Sequence, residues 1–133
     1  MLNIESVNHV GIRIRDRDVS VAFYRLLGFS DESDAGFDAG HPIVMRHPCG
    51  VVINLLGPAD AGESDNILMD VDKRYSGITH LALTVTSLDE AKDHLKTCDI
   101  PLTGAFHYRG MSAVFIRDPD RNVIELDAYE TGE

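Results

Sequence analysis

Shifted by 71 residues, this chain lies on top of itself. The shift carries His9 onto His80, within the segments NHVGIRI and THLALTV. It carries Arg46 onto Arg117, Pro48 onto Pro119, Val52 onto Val123, Ile53 onto Ile124 and Leu55 onto Leu126. His9 to Asn54 and His80 to Glu125 are both 45 residues apart. The chain is therefore two copies of one unit. A unit of about 50 residues buries too little surface to stand alone, so the copies must pack together or against other copies. Whether they pair within one chain or across a dimer is left open by the spacing. A 71-residue period is too long for a solenoid.

Each copy has the same grammar. Residues 7–14 alternate, which predicts a strand with Val10, Ile12 and Ile14 on one face and His9, Gly11 and Arg13 on the other. Asp16 is placed to cap a helix carrying Val19, Ala22, Phe23, Leu26 and Leu27 at helical spacing, and Gly28 stops it. Residues 29–40, acidic and rich in Gly and Ala, predict a short strand and a mobile loop. Residues 42–46 and 51–56 predict two strands joined by the turn His47-Pro-Cys-Gly50. In the second copy Ser87 and Glu90 form a capping box. The helix behind them buries Leu88, Ala91, Leu95 and Cys98, and Pro101 ends it. Residues 111–116 and 122–129 predict the last strands, with Tyr108 and Arg109 in a loop before them and His107 beside it. The expected class is α+β: two tandem βαβββ modules, about 5–57 and 76–129, joined by a linker over 58–75, in one domain spanning 1–133.

At 133 residues and 44% hydrophobic, the chain can build a sizeable core. Its formal net charge of −10 opposes phosphate backbones and anionic membrane surfaces. No apolar run approaches the length of a membrane span, and MLNIESVNH lacks a basic-then-apolar leader, so a cytoplasmic protein is expected. Cys49 and Cys98 are too few for a disulfide framework and are read as structural.

Chemistry enters through the charged residue that does not belong. Glu125 interrupts the apolar run that ends RDPDRNVIEL, and a carboxylate in a buried strand is costly unless it is paired or holds a metal. Approximate twofold symmetry between the copies would gather His9, His80, Asn54 and Glu125. Two imidazoles and a carboxylate suit Zn(II), Ni(II), Mn(II), Fe(II) or Co(II), with coordination positions left open for a substrate. The simpler alternative makes His9 and His80 hydrogen-bonded strand residues and pairs Glu125 with an arginine. Matched placement of both histidines favours the metal.

Taken together, NHVGIRI with DVSVAFYRLLGF, then THLALTV, then FIRDPDRNVIELDAY resemble the vicinal oxygen chelate superfamily, also called the glyoxalase/bleomycin-resistance/dioxygenase group. The resemblance covers essentially the whole chain. It implies paired βαβββ modules forming an eight-stranded cup with helices outside, around a divalent metal held by His9, His80 and Glu125. It also implies Lewis-acid stabilisation of an enolate or oxyanion. Asn54 departs from the pattern, because glyoxalase I enzymes are expected to carry a second glutamate there as ligand and proton shuttle. An amide cannot act as a general base, which argues against lactoylglutathione lyase activity. Asn54 remains a candidate oxygen ligand or substrate-orienting group. Fosfomycin-resistance transferases of the group are expected to carry an arginine soon after the metal glutamate, and LDAYETGE has none.

Further candidates are Tyr108 and His107 as acid–base groups, and Arg13, Arg109 and Phe115 as substrate contacts. Val44, Val52, Ala82 and Ala113 line the same strand faces as Phe115, which suits a small, largely uncharged substrate. The leading expectation is a metal-dependent lyase or isomerase. The alternatives are a ring-cleaving dioxygenase and a metal-free drug-binding resistance protein. A homodimer is expected, since open cups leave edges and apolar faces to cover. His41 and His47 are assigned to turns, His94 to solvent, and Arg46 and Arg117 to turn carbonyls or Asp118.

Overall fold

The repeat survives in the backbone down to its ladder register. The structure, a computed structural model, describes residues 1–130. The first compact unit, Met1–Ser64, runs β1 (Val10–Arg13), α1 (Arg17–Leu26), β2 (Ser30–Asp34), a 3-10 turn (Phe37–Ala39), β3 (Ile43–Arg46) and β4 (Val52–Leu56). The second, Asp65–Glu133, runs β5 (Leu81–Thr84), α2 (Leu88–Thr97), β6 (Gly104–Tyr108), β7 (Met111–Arg117) and β8 (Val123–Tyr129). The two four-stranded sheets have the orders β1-β4-β3-β2 and β5-β8-β7-β6. In each, the first strand runs parallel to the last, and the helix between them makes the crossover. Among the described residues this is the βαβββ arrangement twice over, eight strands and two α-helices of the α+β class.

Matched chemistry closes both helices. Asp16 accepts from the backbone N–H of Val19 at 3.1 Å, and Ser87 from that of Glu90 at 3.2 Å. Each helix then ends on a left-handed residue, Gly28 at φ 100° and Asp99 at φ 57°. Behind them the N–H of Phe29 returns to the Tyr24 carbonyl, and that of Ile100 to the Leu95 carbonyl. Tyr24, Phe29, Leu95 and Ile100 are all buried, so the cap also seals the core. The stop after α2 is thus Asp99 rather than Pro101, which comes two residues later.

Several expectations need correcting. Val19 and Leu26 are exposed, at 51% and 41%, and the buried stripe of α1 is Ser20, Val21, Phe23 and Tyr24. Ser20 is small enough to let the helix lie close, and that rotates the stripe away from Val19. Residues 35–40 are anchored, because Phe37 is buried at the 3-10 turn. Residues 104–108 form strand β6, because Arg109 (φ 46°) and Gly110 (φ 75°) make the two-residue turn that matches strand twist.

The fully exposed strand β2, SDESD, is held by charge and by pairing with β3. Arg25 bonds Asp31 at 2.7 Å, Arg17 bonds Asp34 at 2.6 Å, and Arg46 bonds Glu32 at 2.7 Å. These arginines hold Asp31 and Asp34 below the usual carboxylate range.

In the second unit, residues 65–70 dock on the β7–β8 turn. Asn66 bonds Asn122 at 2.9 Å, and Asp70 takes both Arg117 and Arg121. Arg117 also donates to the Arg121 carbonyl at 3.0 Å. Asp118, buried inside the turn, accepts from the N–H groups of Asp120 and Asn122.

Candidate metal and substrate site

Alternation gives each sheet two unlike faces. In the first unit Ile12, Ile14, Ile53 and Leu55 point into the core, which leaves His9, Gly11, Arg13, Asn54 and Leu56 on the other face. In the second unit Ile116, Ile124 and Leu126 are buried, while His80, Ala82, Thr84, Glu125 and Asp127 share the opposite face. The ladders place the candidate ligands identically. Gly11 pairs with Asn54 two residues after His9, and Ala82 pairs with Glu125 two residues after His80.

Both histidines are oriented through Nδ1 by the residue before them. Asn8 Oδ1 lies 2.6 Å from His9 Nδ1, and Thr79 Oγ1 lies 2.8 Å from His80 Nδ1. Occupying Nδ1 leaves Nε2 as the free donor, the arrangement that fixes an imidazole for a metal. In the second unit His80 Nε2 is 3.3 Å from Glu125 Oε1. Two donors each about 2.0–2.1 Å from one tetrahedral ion are separated by about that much, so this pair suits a divalent metal. His80 is accessible, with about a third of its side chain exposed, whereas Glu125 is largely covered. Among the described residues, no three His, Cys, Asp or Glu side chains gather to hold an ion. His9 and Asn54 belong to the first unit, His80 and Glu125 to the second.

Glu125 is held above the ordinary carboxylate range. Burial is the larger cause, the neighbouring Asp127 carboxylate adds to it, and the charge of His80 opposes it. Phe115 pairs across the ladder with Glu125, and its ring meets His80 edge-on at 5.9 Å. Ala82 and Ala113 complete an apolar surround on this face.

The other candidates are not gathered here. His107 sits on the opposite face of its sheet, paired with Ser112, whose Oγ is 2.8 Å from Nδ1. Its imidazole is therefore not on the surface that carries Glu125. Tyr108 does share that surface, but at the far end of the ladder. It pairs with Met111, which pairs with Tyr129, four residues and about 13 Å along β8 from Glu125. Arg109 packs over the Tyr108 ring at 5.2 Å. Arg13 is exposed in the first unit at the ladder position of Leu56.

Two residues at the site went unmarked in the sequence. Asp127 is 6% exposed and accepts from Thr84 Oγ1 at 2.6 Å. Its place two residues after Glu125, on the same strand face, was the available signal.

The sequence pattern of the Glyoxalase/Bleomycin resistance protein/Dioxygenase superfamily matches residues 6–126. Similar solved structures include a glyoxylase/bleomycin resistance protein/dioxygenase domain from Frankia sp. EAN1pec. It is 21% identical with a TM-score of 0.80, over 98% of this chain and 96% of that one. A glyoxalase/dioxygenase from Nostoc punctiforme is 23% identical with a TM-score of 0.76, over 97% and 94%. A lactoylglutathione lyase from Agrobacterium tumefaciens is 20% identical with a TM-score of 0.69, over 94% of each chain. At such identities the likeness is one of fold.

Proposed function

This chain belongs to the Glyoxalase/Bleomycin resistance protein/Dioxygenase superfamily, and we propose that it is a divalent-metal-dependent enzyme of lyase or isomerase type. The observation that carries this reading is the His80–Glu125 pair, with Nε2 and Oε1 3.3 Å apart. His9 and Asn54 stand at the matching ladder position of the other copy. In this reading His9, His80 and Glu125 are the ligands, and Asn54 is a weak oxygen donor or orients the substrate. The bound ion would supply Lewis-acid stabilisation of charge developing on a substrate oxygen. Ala82, Ala113 and Phe115 exclude water around that oxygen and favour a small, largely apolar, oxygen-bearing substrate. Asn54 cannot shuttle a proton, so the reaction differs from glutathione-dependent isomerisation of methylglyoxal.

The protein acts as a homodimer in this reading. Supporting it, Leu2, Ile4, Val7 and Ile78 remain exposed, and each sheet ends on two edge strands. A C2 pair is the simplest closed arrangement. No helix among the described residues is long and apolar enough to cross a membrane.

The test is the metal content of the purified full chain and its melting temperature with and without chelator. One ion per chain and a chelator-sensitive melting temperature support the reading. A chain that takes up no metal under supplementation, and melts alike with chelator, is a binder and not this enzyme. Sedimentation at micromolar concentration tests the dimer, and a single species near 14.7 kDa would refute it.

A further inference from the structure

Helix α2 carries a second pair of metal-binding side chains, on a different element from the strands that hold His80 and Glu125. His94 and Cys98 stand four residues apart, so they lie one above the other on the same stripe of the helix and its cap. Cys98 Sγ is 3.6 Å from His94 Nε2, with His94 exposed and Cys98 half-buried. A zinc-like ion holds sulfur at about 2.3 Å and nitrogen at about 2.0–2.1 Å, which at a tetrahedral angle separates the two donors by about 3.5–3.6 Å. The pair already has the spacing of two ligands of one ion. As a thiol–imidazole hydrogen bond the same contact is a weak one.

The repeat supplies a control for what the fold itself requires. The 71-residue shift carries Phe23 onto His94 and Leu27 onto Cys98. Helices α1 and α2 start and end at matching positions, so these are the same places on the same scaffold. In the first copy Phe23 is buried there, and an apolar pair serves the fold. The second copy puts two donors in its place and exposes the imidazole. The surroundings favour a cation. The helix and its end carry Asp89, Glu90, Asp93 and Asp99 against Lys92 and Lys96, and the pair sits at the last turn, where a helix presents its negative end.

Thiolate and imidazole together select a soft or borderline ion, Zn(II), Co(II) or Cd(II), over Mg(II) or Ca(II). We propose that His94 and Cys98 form a bidentate surface site for such a divalent cation, with the remaining coordination positions open to water or an external ligand. On binding, the thiol gives up its proton to solvent, and the thiolate and His94 Nε2 are the two protein donors. Among the described residues no third His, Cys, Asp or Glu joins them. The site does not rest on the proposed function, whose protein ligands are nitrogen and oxygen alone.

The experiment is titration of chelator-treated full chain with Co(II) alone under reducing conditions, read by thiolate-to-cobalt charge-transfer absorption in the near ultraviolet. That band requires a coordinated thiolate, so cobalt held by His80 and Glu125 does not produce it. The series is built on a Cys49→Ser parent, because Cys49 is the other free thiol. The expected result is a saturable band in the parent that Zn(II) displaces. Cys98→Ser should abolish the band. His94→Gln should weaken the affinity behind it by about 100-fold, the scale that a tethered second donor supplies. His94→Phe with Cys98→Leu installs the apolar pair of the first copy. That double variant should melt at or above the temperature of the parent and show no band. A parent without the band, a band that survives Cys98→Ser, or a His94→Gln affinity within about threefold of the parent would each overturn the proposal. Cobalt taken up without the band would overturn it too, while leaving the metal reading of His80 and Glu125 standing.

Discussion

Glu125 Oε1 lies 3.3 Å from His80 Nε2, on strands whose register repeats the pairing of Asn54 with Gly11 in the other copy. A short approach between an imidazole and a largely buried carboxylate has two explanations, an ion pair or two ligands of one cation. Orientation of His80 through Nδ1 by Thr79 suits either. The matched orientation of His9 by Asn8, in a copy with no carboxylate at the equivalent position, favours ligands.

The first prediction follows from that choice. Glu125→Ala should weaken metal binding by more than the 10–100-fold typical of an outer-shell change, on the order of 100-fold or beyond. It should leave the apo fold intact, since it also removes the cost of burying a carboxylate. Wild-type protein should gain melting temperature with added metal, by about 2.7 kcal/mol of stability at 100 times the dissociation constant. Glu125→Ala should show almost none of that gain. Scanning calorimetry with and without chelator measures both, and an equal metal-dependent gain in the variant would exclude Glu125 as a ligand.

Asn54 gives the second prediction. An amide at the position of a catalytic carboxylate leaves no group there to carry a proton between carbons. Unaltered protein should therefore isomerise the methylglyoxal–glutathione adduct only slowly, and Asn54→Glu should raise the rate if the pocket admits the adduct. General-base catalysis contributes about 10²–10⁴-fold, which sets the scale of the gain. Fast turnover by the unaltered chain would mean that another residue serves as base.

How far the sequence could be read depended on whether a residue acts through its own chain neighbours or through another strand. Asp16, Ser87 and Gly28 act within one turn of helix, and they cap and stop it as their positions predict. The 45-residue spacing from each histidine to its partner is a relation within one repeat, and the ladders reproduce it. Residues 29–40 predict a short strand without marking its ends, because SDESD has no apolar face. Arginines from α1 and β3 hold it, and no local pattern announces them. With Tyr108 and Arg109 expected in a loop and His107 beside them, the sequence makes His107 equivalent to Tyr108 as a catalytic candidate. Once Arg109 and Gly110 close a two-residue hairpin, alternation sends the two side chains to opposite faces. Asp127 was passed over because its meaning depends on Thr84, 43 residues away.

Gly57 gives a prediction about the scaffold. A Cβ there would stand 2.6 Å from the Ile14 carbonyl oxygen and press on the Phe37 ring. That carbonyl cannot move freely, because it accepts from the Ala59 N–H at 2.8 Å. Phe37 cannot retreat either, since it is buried. Gly57→Ala should therefore cost about 1–3 kcal/mol, the range for forcing an extra methyl into a packed site. Urea unfolding measures it, and an unchanged midpoint would show that the first unit relaxes around the methyl.

The last prediction concerns acid stability. Asp70 lies between two arginines, with Arg117 Nη2 at 2.8 Å and Arg121 Nε at 3.1 Å. Their hydrogen bonds, Arg117's foremost, hold its carboxyl at about 2, against an ordinary value of 3.8. A depressed folded-state value means that the unfolded chain takes up the proton first as pH falls. The contribution of Asp70 is therefore complete above pH about 4 and is lost as pH falls from there to about 2. Asp70→Asn should lower the melting temperature at neutral pH, and the gap to wild type should close over that same interval. Salt should narrow the gap at neutral pH, because the cluster is partly open to solvent. Since Arg117 and Arg121 flank the turn that leads into β8, loosening them should also raise hydrogen exchange at Asn66 and Asn122, whose amides bond that turn. Melting curves of both proteins from pH 2 to pH 7 decide the matter. A gap that persists unchanged to pH 2 would mean that Asp70 acts through packing and not through its charge.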